Sequence, residues 1–146
     1  GEEIKECGIK RENLFVTSKV WNTEGEGKHR PMVDQIEYHP GFTQKECVEF
    51  CQKNNILVEA WTPLGRGNVL DNPLLKSIAA NHGKSVAQVV IVGDVDRRAA
   101  TGKVGYSKPN QENIGVFDFE LSQQEILEIA SLKADRIGAD PDTCDF

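Results

Sequence analysis

The sequence predicts an α/β fold in which parallel strands alternate with helices. Three observations predict it: apolar strand-like runs end in polar loops, segments of helical periodicity follow them, and the connections between them are short. Two strands joined by one short helix most naturally lie parallel, with the right-handed crossover that nearly all such units adopt.

The amino-terminal third contains a helix end, two strands and a loop. Residues 1–10 are predicted to end a helix at a glycine, and residues 14–21 alternate as a strand. The polar residues 23–31 have no periodicity and form a junction loop. A second strand at 32–39 stops at a proline, after which Thr43 is predicted to cap a helix, with a glutamate at the capping-box position.

The rest of the chain continues the pattern with one gap. Residues 56–61 form the next strand, and Asn72 followed by proline opens a helix that a glycine ends. Ser85 caps another helix, predicted to end near Ile91. Residues 92–105 mix charge and glycine with apolar side chains, so no element is predicted there. Ser122 is predicted to cap the last helix.

Composition excludes two classes of function. A formal net charge of -6 and a pI near 5.1 argue against a surface for nucleic acid or anionic membrane, which needs clustered Lys and Arg. No apolar run approaches the roughly 18 to 20 residues of a membrane-spanning helix, and the first residues do not resemble a signal peptide. We therefore expect a cytosolic protein.

The cysteines do not indicate disulfides. The chain has four, without a Cys-x-x-Cys pair or disulfide-dense spacing. Cys47 and Cys51 are one helical turn apart and could bind zinc with His39 or His82. Two ligands on one helix are a weak signal, so we predict no metal and expect small buried residues instead.

Three segments carry side chains suited to chemistry. Lys19 shares a strand face with Trp21, although spacing alone fits an ordinary exposed lysine. Gln35 lies on a polar face with Glu37 and His39, a pair that is more naturally structural than catalytic. Trp61 follows a strand, at the end where parallel sheets bind ligands, and either fills the core or contacts a ligand.

Taken together, Thr17-Ser-Lys-Val-Trp21, Gln35-Ile-Glu-Tyr-His-Pro40 and Ala60-Trp-Thr-Pro-Leu-Gly65 resemble motifs of the aldo-keto reductase family. These enzymes are NADPH-dependent carbonyl reductases built on a (β/α)8 barrel of the TIM type. The resemblance implies that the substrate is a small-molecule aldehyde or ketone. It also implies that Lys19 polarises the tyrosine that donates the proton, and that Trp21 lines the substrate pocket.

The resemblance further implies a cofactor site. Gln35 is expected to bind the carboxamide of the nicotinamide, and Trp61 to stack on its ring. Thr62, Leu64 and Gly65 are expected to contact the cofactor phosphates. Lys103, Glu112 and Asn113 align with the family's adenosine-binding segment. Val104 and Pro109 replace a serine and an arginine of that segment, so NADH remains an alternative to NADPH.

The resemblance covers only part of the barrel. The chain has 146 residues, whereas an eight-stranded α/β barrel normally needs roughly 250. Residues 1–22 correspond to a helix end and the third strand, 23–31 to the junction, and 32–146 to the sixth strand onward. The strands that carry the catalytic Asp, Tyr and His are therefore missing, and the chain as written is expected to be inactive alone.

Three interpretations follow. In the first, the protein is a complete NADPH-dependent reductase and segments of it are missing from this sequence. In the second, the chain is a truncated, non-catalytic relative that binds nucleotide or self-associates through open strand edges. The third is an unrelated binding or thiol-redox module.

Overall fold

The computed structural model describes residues 6–14, 16, 31–96, 99–101, 115–140 and 143. Its strands and helices are β1 (Val33–Glu37), α1 (Lys45–Lys53), β2 (Leu57–Trp61), α2 (Pro73–His82), α3 (Val86–Asp96), β3 (Ala99–Thr101) and α4 (Gln123–Ser131). Short 3-10 segments occupy Arg11–Asn13 and Gly65–Asp71.

The described strands form one parallel sheet in the order β1-β2-β3. Strand order therefore follows chain order, with helices in the crossovers, as in a section of a (β/α) barrel. The predicted parallel pair is confirmed. In the register of β1 and β2, Gln35 lies opposite Glu59, and Glu37 lies opposite Trp61.

The two faces of the sheet have different environments. Because side chains alternate along a strand, Ile36, Val58 and Ala60 share one face, where they pack against helix α1. The buried residues of this cluster are Tyr38, Val48, Cys51, Ile56, Val58 and Ala60. The other face carries Gln35, Glu37, Glu59 and Trp61, so it is the face on which polar chemistry can occur.

A second apolar core lies between the later helices. Its buried members from α2, α3, α4 and the adjoining loops are Val69, Leu75, Ile78, Ala79, Val89, Val90, Val92, Leu121 and Ile129. This core supports the loop that follows β2, because Val69 belongs to both.

Helix starts were predicted correctly at three of four positions. Asn72 Oδ1 accepts the N–H of Leu74 at 3.0 Å, Ser85 Oγ accepts that of Gln88 at 3.3 Å, and Ser122 forms a full capping box. The predicted cap at Thr43 is wrong. The N-cap is Gln44, whose side chain donates instead to the backbone carbonyl of Glu37 at 2.6 Å, and no side chain caps α1.

The sequence predicted neither a helix nor a strand at residues 92–105, and this is wrong. Helix α3 continues to Asp96, beyond the predicted end near Ile91, and β3 follows as a short parallel strand. Gly93 and Asp94 are buried within this helix. Burial against α4 and Leu121 outweighs the local cost of about 1 kcal/mol for a glycine in a helix.

The amino-terminal prediction is tested only in part. Gly8 is in the left-handed conformation, at φ 69°, just after the helical residue Glu6. Leu14 and Val16, the described residues of the predicted strand 14–21, are not in a strand. Among the described residues, no helix combines the length and the apolar character needed to span a bilayer.

Candidate functional site

The candidate site lies at the carboxyl ends of β1 and β2, on the sheet face opposite α1. Gln35 is exposed on β1, and Trp61 is the last residue of β2. Glu37 is the partner of Trp61 in the register, and Gln35 lies two residues before Glu37. Because side chains alternate along a strand, Gln35 and Trp61 project from the same face. A hydrogen-bonding amide and a flat aromatic ring are therefore presented together where parallel sheets bind ligands.

The Trp61 indole is held on one side and open on another. Trp61 is 38% exposed. It therefore does not fill the core, which was one of the two alternatives that the sequence left open. The guanidinium of Arg66 lies 5.6 Å from the ring centroid, a cation–π contact. A planar ligand at this ring would meet a positive charge beside it.

The loop after β2 has an unusual backbone. Thr62, Gly65, Arg66 and Gly67 all have positive φ, at 55°, 55°, 54° and 100°. The Gly65 N–H donates to the Thr62 carbonyl at 2.8 Å, and the Arg66 N–H donates to Thr62 Oγ1 at 3.2 Å. Thr62 therefore organises a tight turn that places the Arg66 guanidinium beside the site.

Glu37 and His39 form the structural pair that the sequence predicted. His39 Nε2 lies 3.0 Å from Glu37 Oε1, and both residues are buried. The same carboxylate accepts the N–H groups of Ile137 and Gly138, at 2.6 and 2.8 Å. Burial alone would raise the pKa of Glu37, but these donors and His39 together hold it below its usual value, so the group is ionised.

The thiol cluster lies on the other face of the sheet. Cys51 Sγ donates to Asp34 Oδ2 at 3.6 Å, and the ligand atoms of Asp34, Cys47 and Cys51 lie within 4.8 Å of one another. The third donor is thus Asp34 and not a histidine, because His39 pairs with Glu37 and His82 with Glu125. Burial, with help from the neighbouring thiol and carboxylate, raises the pKa of Cys51 to about 12.

Protonated thiols are poor metal ligands and poor nucleophiles. Burial also raises the pKa of Cys47, and Asp34 adds to that rise. The cluster is therefore best explained as packing with one internal hydrogen bond. The expectation that the chain binds no metal remains a prediction.

Several predicted site residues lie outside the described part of the chain. They are Lys19, Trp21, Lys103, Glu112 and Asn113. The described candidates lie on one side of the sheet or just beyond it: Gln35 in the middle of β1, Trp61 at the end of β2, and Thr62, Leu64 and Gly65 in the loop that follows β2.

Sequence reasoning missed two features of the site. Arg66 was not predicted as a site residue, although its position five residues after a tryptophan at a strand end was a signal. The bonds from Glu37 to Ile137 and Gly138 join residues about 100 positions apart, and no local pattern could have indicated them.

Comparisons with known proteins identify the family of the chain. The sequence profile of the Aldo/keto reductase family matches residues 3–134. Glyoxal reductase of Bacillus subtilis is 32% identical over 212 residues, covering 97% of this chain and 77% of that protein. The 9,11-endoperoxide prostaglandin H2 reductase of Trypanosoma cruzi is 46% identical over 120 residues, covering 79% of this chain and 42% of that protein.

A solved structure is similar as well. A crystal structure of a Gox0644 mutant in complex with NADPH has a TM-score of 0.76 and 38% identity, covering 80% of this chain but only 44% of that one. The match to glyoxal reductase spans 212 residues and this chain has 146, so at least 66 residues of that stretch (212 less 146) have no counterpart here. The profile, the relatives and the shared architecture show that the chain belongs to the aldo/keto reductase family, as a partial (β/α)8 barrel.

Proposed function

We propose that the protein acts in the NADPH-dependent reduction of an aldehyde or ketone to an alcohol, with the described residues forming the nicotinamide half of the cofactor site. The observation that carries this proposal is the placement of Gln35 and Trp61 on one face of neighbouring parallel strands, with Trp61 at the carboxyl end of β2 and Gln35 two residues before the carboxyl end of β1. The indole is partly exposed, so a ligand can reach it. The NADPH complex of a similar structure supports the choice of cofactor.

Each predicted site residue then has a role. Trp61 stacks on the nicotinamide, and Gln35 hydrogen-bonds the carboxamide, which fixes the face of the ring that is presented to the substrate. Arg66 adds positive charge beside a cofactor whose phosphates are anionic. The loop residues Thr62, Leu64 and Gly65 contact the phosphates, while Lys103, Glu112 and Asn113 contact the adenosine. Lys19 and Trp21 serve proton transfer and the substrate pocket.

The chain by itself supplies only part of this chemistry. NADPH provides the hydride, and carbonyl reduction also needs an acid that protonates the oxygen. By the order of its motifs, the sequence lacks the tyrosine, aspartate and histidine that do so in this family. Members of a catalytic unit act together, so we propose that the chain binds cofactor but does not turn over alone.

Titration with NADPH while following tryptophan fluorescence tests the proposal. We expect saturable quenching that survives Trp21→Phe but is lost in Trp61→Phe, because only the second change removes the ring beside the cofactor. A parallel titration with NADH measures the preference between the two nucleotides. Absence of quenching in the parent chain, with Trp61 present, would contradict the cofactor site.

A second candidate function is a truncated relative that self-associates. It is favoured by the exposed Met32 and by Leu57, which is 53% exposed on β2, and by the edge position of β1 in the described sheet. Open edges invite pairing with another chain. Light scattering decides here, since a monodisperse monomer would count against this candidate.

Intact mass separates a complete protein from this chain. A single species near 16.2 kDa in the natural source would remove the interpretation that segments are missing from the record, and one about twice as heavy would support a full barrel of roughly 250 residues or more.

A further inference from the structure

A short segment near the carboxyl terminus crosses the ends of β1 and β2. Residues 133–138, here called the strap, begin on the turn after β1, where the Ala134 N–H donates to the Gly41 carbonyl at 3.1 Å. Arg136 then places its guanidinium 5.0 Å from the centroid of the Phe42 ring. The strap is therefore attached to the turn after β1 before it reaches the candidate site.

Glu37 holds the far end of the strap. The residue is 6% exposed, and its two carboxylate oxygens accept the N–H groups of two consecutive strap residues, Ile137 and Gly138, one each. His39 donates to the same carboxylate from the side. A carboxylate bound by two adjacent backbone donors fixes both the position and the orientation of that peptide unit.

The two residues that Glu37 holds are the ones that contact the candidate cofactor site. A Cβ atom at Gly138 would lie 2.8 Å from Trp61 Cζ3 and 2.9 Å from Glu37 Oε2, so the backbone packs directly on the edge of the indole. Next to it, Ile137 Cδ1 is 3.6 Å from where a Cβ at Gly65 would be. The Glu37 carboxylate therefore fixes the backbone that packs against the Trp61 ring and the side chain that packs near Gly65 in the loop after β2.

We propose that Glu37 is a positioning residue that, through the strap, fixes the indole of Trp61 in the orientation needed to receive the nicotinamide. The link to the nicotinamide rests on the function proposed above, whereas the link from Glu37 to Trp61 does not. Glu37 touches neither cofactor nor substrate in this scheme. Its effect reaches the ring through the packing of Gly138, in addition to the direct neighbour relation of Glu37 and Trp61 in the register.

The test uses the full chain with Trp21→Phe, so that Trp61 is the only tryptophan. Glu37→Gln keeps the side-chain shape but presents an amide N–H₂ to a backbone donor. Val48→Ala is the matched control, because Val48 is buried in the cluster on the opposite face of the sheet. Near-UV circular dichroism and acrylamide quenching report the ring in the absence of cofactor, and far-UV circular dichroism confirms that each variant is folded.

We expect Glu37→Gln to lose most of the near-UV signal of Trp61 and to increase its quenching by acrylamide, while Val48→Ala leaves both close to the parent. With cofactor, we expect NADPH affinity to fall by roughly tenfold in Glu37→Gln, the change that corresponds to about 1.4 kcal/mol from a misplaced stacking contact. A Trp61 signal that is the same in all folded variants would overturn the proposal.

Gly138→Ala provides a second route if Glu37→Gln does not fold. The added methyl group would lie 2.8 Å from Trp61 Cζ3 and 2.9 Å from Glu37 Oε2, so it should displace the ring and produce the same spectral change although the Glu37 side chain is retained. A folded Gly138→Ala variant with the parent's Trp61 spectrum would also refute the coupling. If the variants show these spectral changes but the parent chain never binds NADPH, the positioning role stands and only the proposed cofactor function fails.

Discussion

Replacing Glu37 by glutamine should destabilise the chain by about 2–4 kcal/mol. Hydrogen bonds to a charged group contribute about 1.5–3 kcal/mol each, and here three donors converge on one buried carboxylate. Glutamine keeps one acceptor oxygen, so one backbone bond survives in neutral form. The other backbone N–H faces an amide donor and loses its partner.

Urea unfolding followed by circular dichroism at equilibrium measures this loss. A domain of this size has a total stability of only about 5–15 kcal/mol, so the midpoint should shift clearly. The matched control is Glu59→Gln, which removes a half-buried carboxylate on the same sheet face, opposite Gln35 in the register. If both variants lose the same free energy, within about 0.5 kcal/mol, the strap bonds are not the cause and the reasoning is refuted.

The pH dependence provides an independent check on the same residue. The pKa of Glu37 is lowered on folding from its ordinary value of 4.5, so the folded state binds this proton less readily than the unfolded chain does. The resulting stability is fully present above pH 4.5 and is lost as the pH falls through the lowered folded value. The free-energy difference between the parent and Glu37→Gln should therefore shrink as the solution is acidified below that pH, and a constant difference would contradict the assignment.

Three further predictions concern stability and reactivity. Ser122→Ala removes the capping box of α4 and should cost about 1 kcal/mol in urea unfolding, whereas Ser131→Ala at the exposed end of that helix should cost less than about 0.5 kcal/mol. Gly41→Ala should lower the free energy of unfolding more than Gly67→Ala does. Both glycines have positive φ (92° and 100°), but only at Gly41 would the new Cβ come within 2.7 Å of the strap backbone. Equal losses in the two variants would disprove this close approach. Cys51 is 1% exposed and burial raises its pKa to about 12, so it should resist iodoacetamide at pH 8 in the native chain and react only after denaturation. Peptide mapping by mass spectrometry measures this labelling. Rapid labelling of the native chain would instead favour the thiol-redox interpretation.

Local features of the fold were predictable because their causes are local. Asn72 and Ser122 cap helices by bonding N–H groups two or three residues away, so their function is written in a short window of sequence. Alternation along a strand likewise predicts that Gln35 and Glu37 share a face. The predicted cap at Thr43 failed because the next residue, Gln44, is used in a contact with Glu37, seven positions away along the chain.

Features that depend on distant residues were not predictable. The end of α3 and strand β3 look like loop in sequence, and only burial against α4 and pairing with β2 define them. The thiol cluster shows the same limit, since Asp34 approaches Cys51 only after α1 packs on the sheet.

The sequence by itself determined the class of the protein: parallel strands alternating with helices, and motifs of the aldo/keto reductase family. It also placed an amide on the polar face of one strand and an indole at the end of the next, because alternation and chain direction depend only on nearby residues. Only the tertiary structure decided what holds that indole. The carboxylate of Glu37 accepts a hydrogen bond from a backbone N–H group 100 residues away. Because almost every residue carries the same backbone N–H group, no sequence pattern indicates which of these groups the carboxylate will bind.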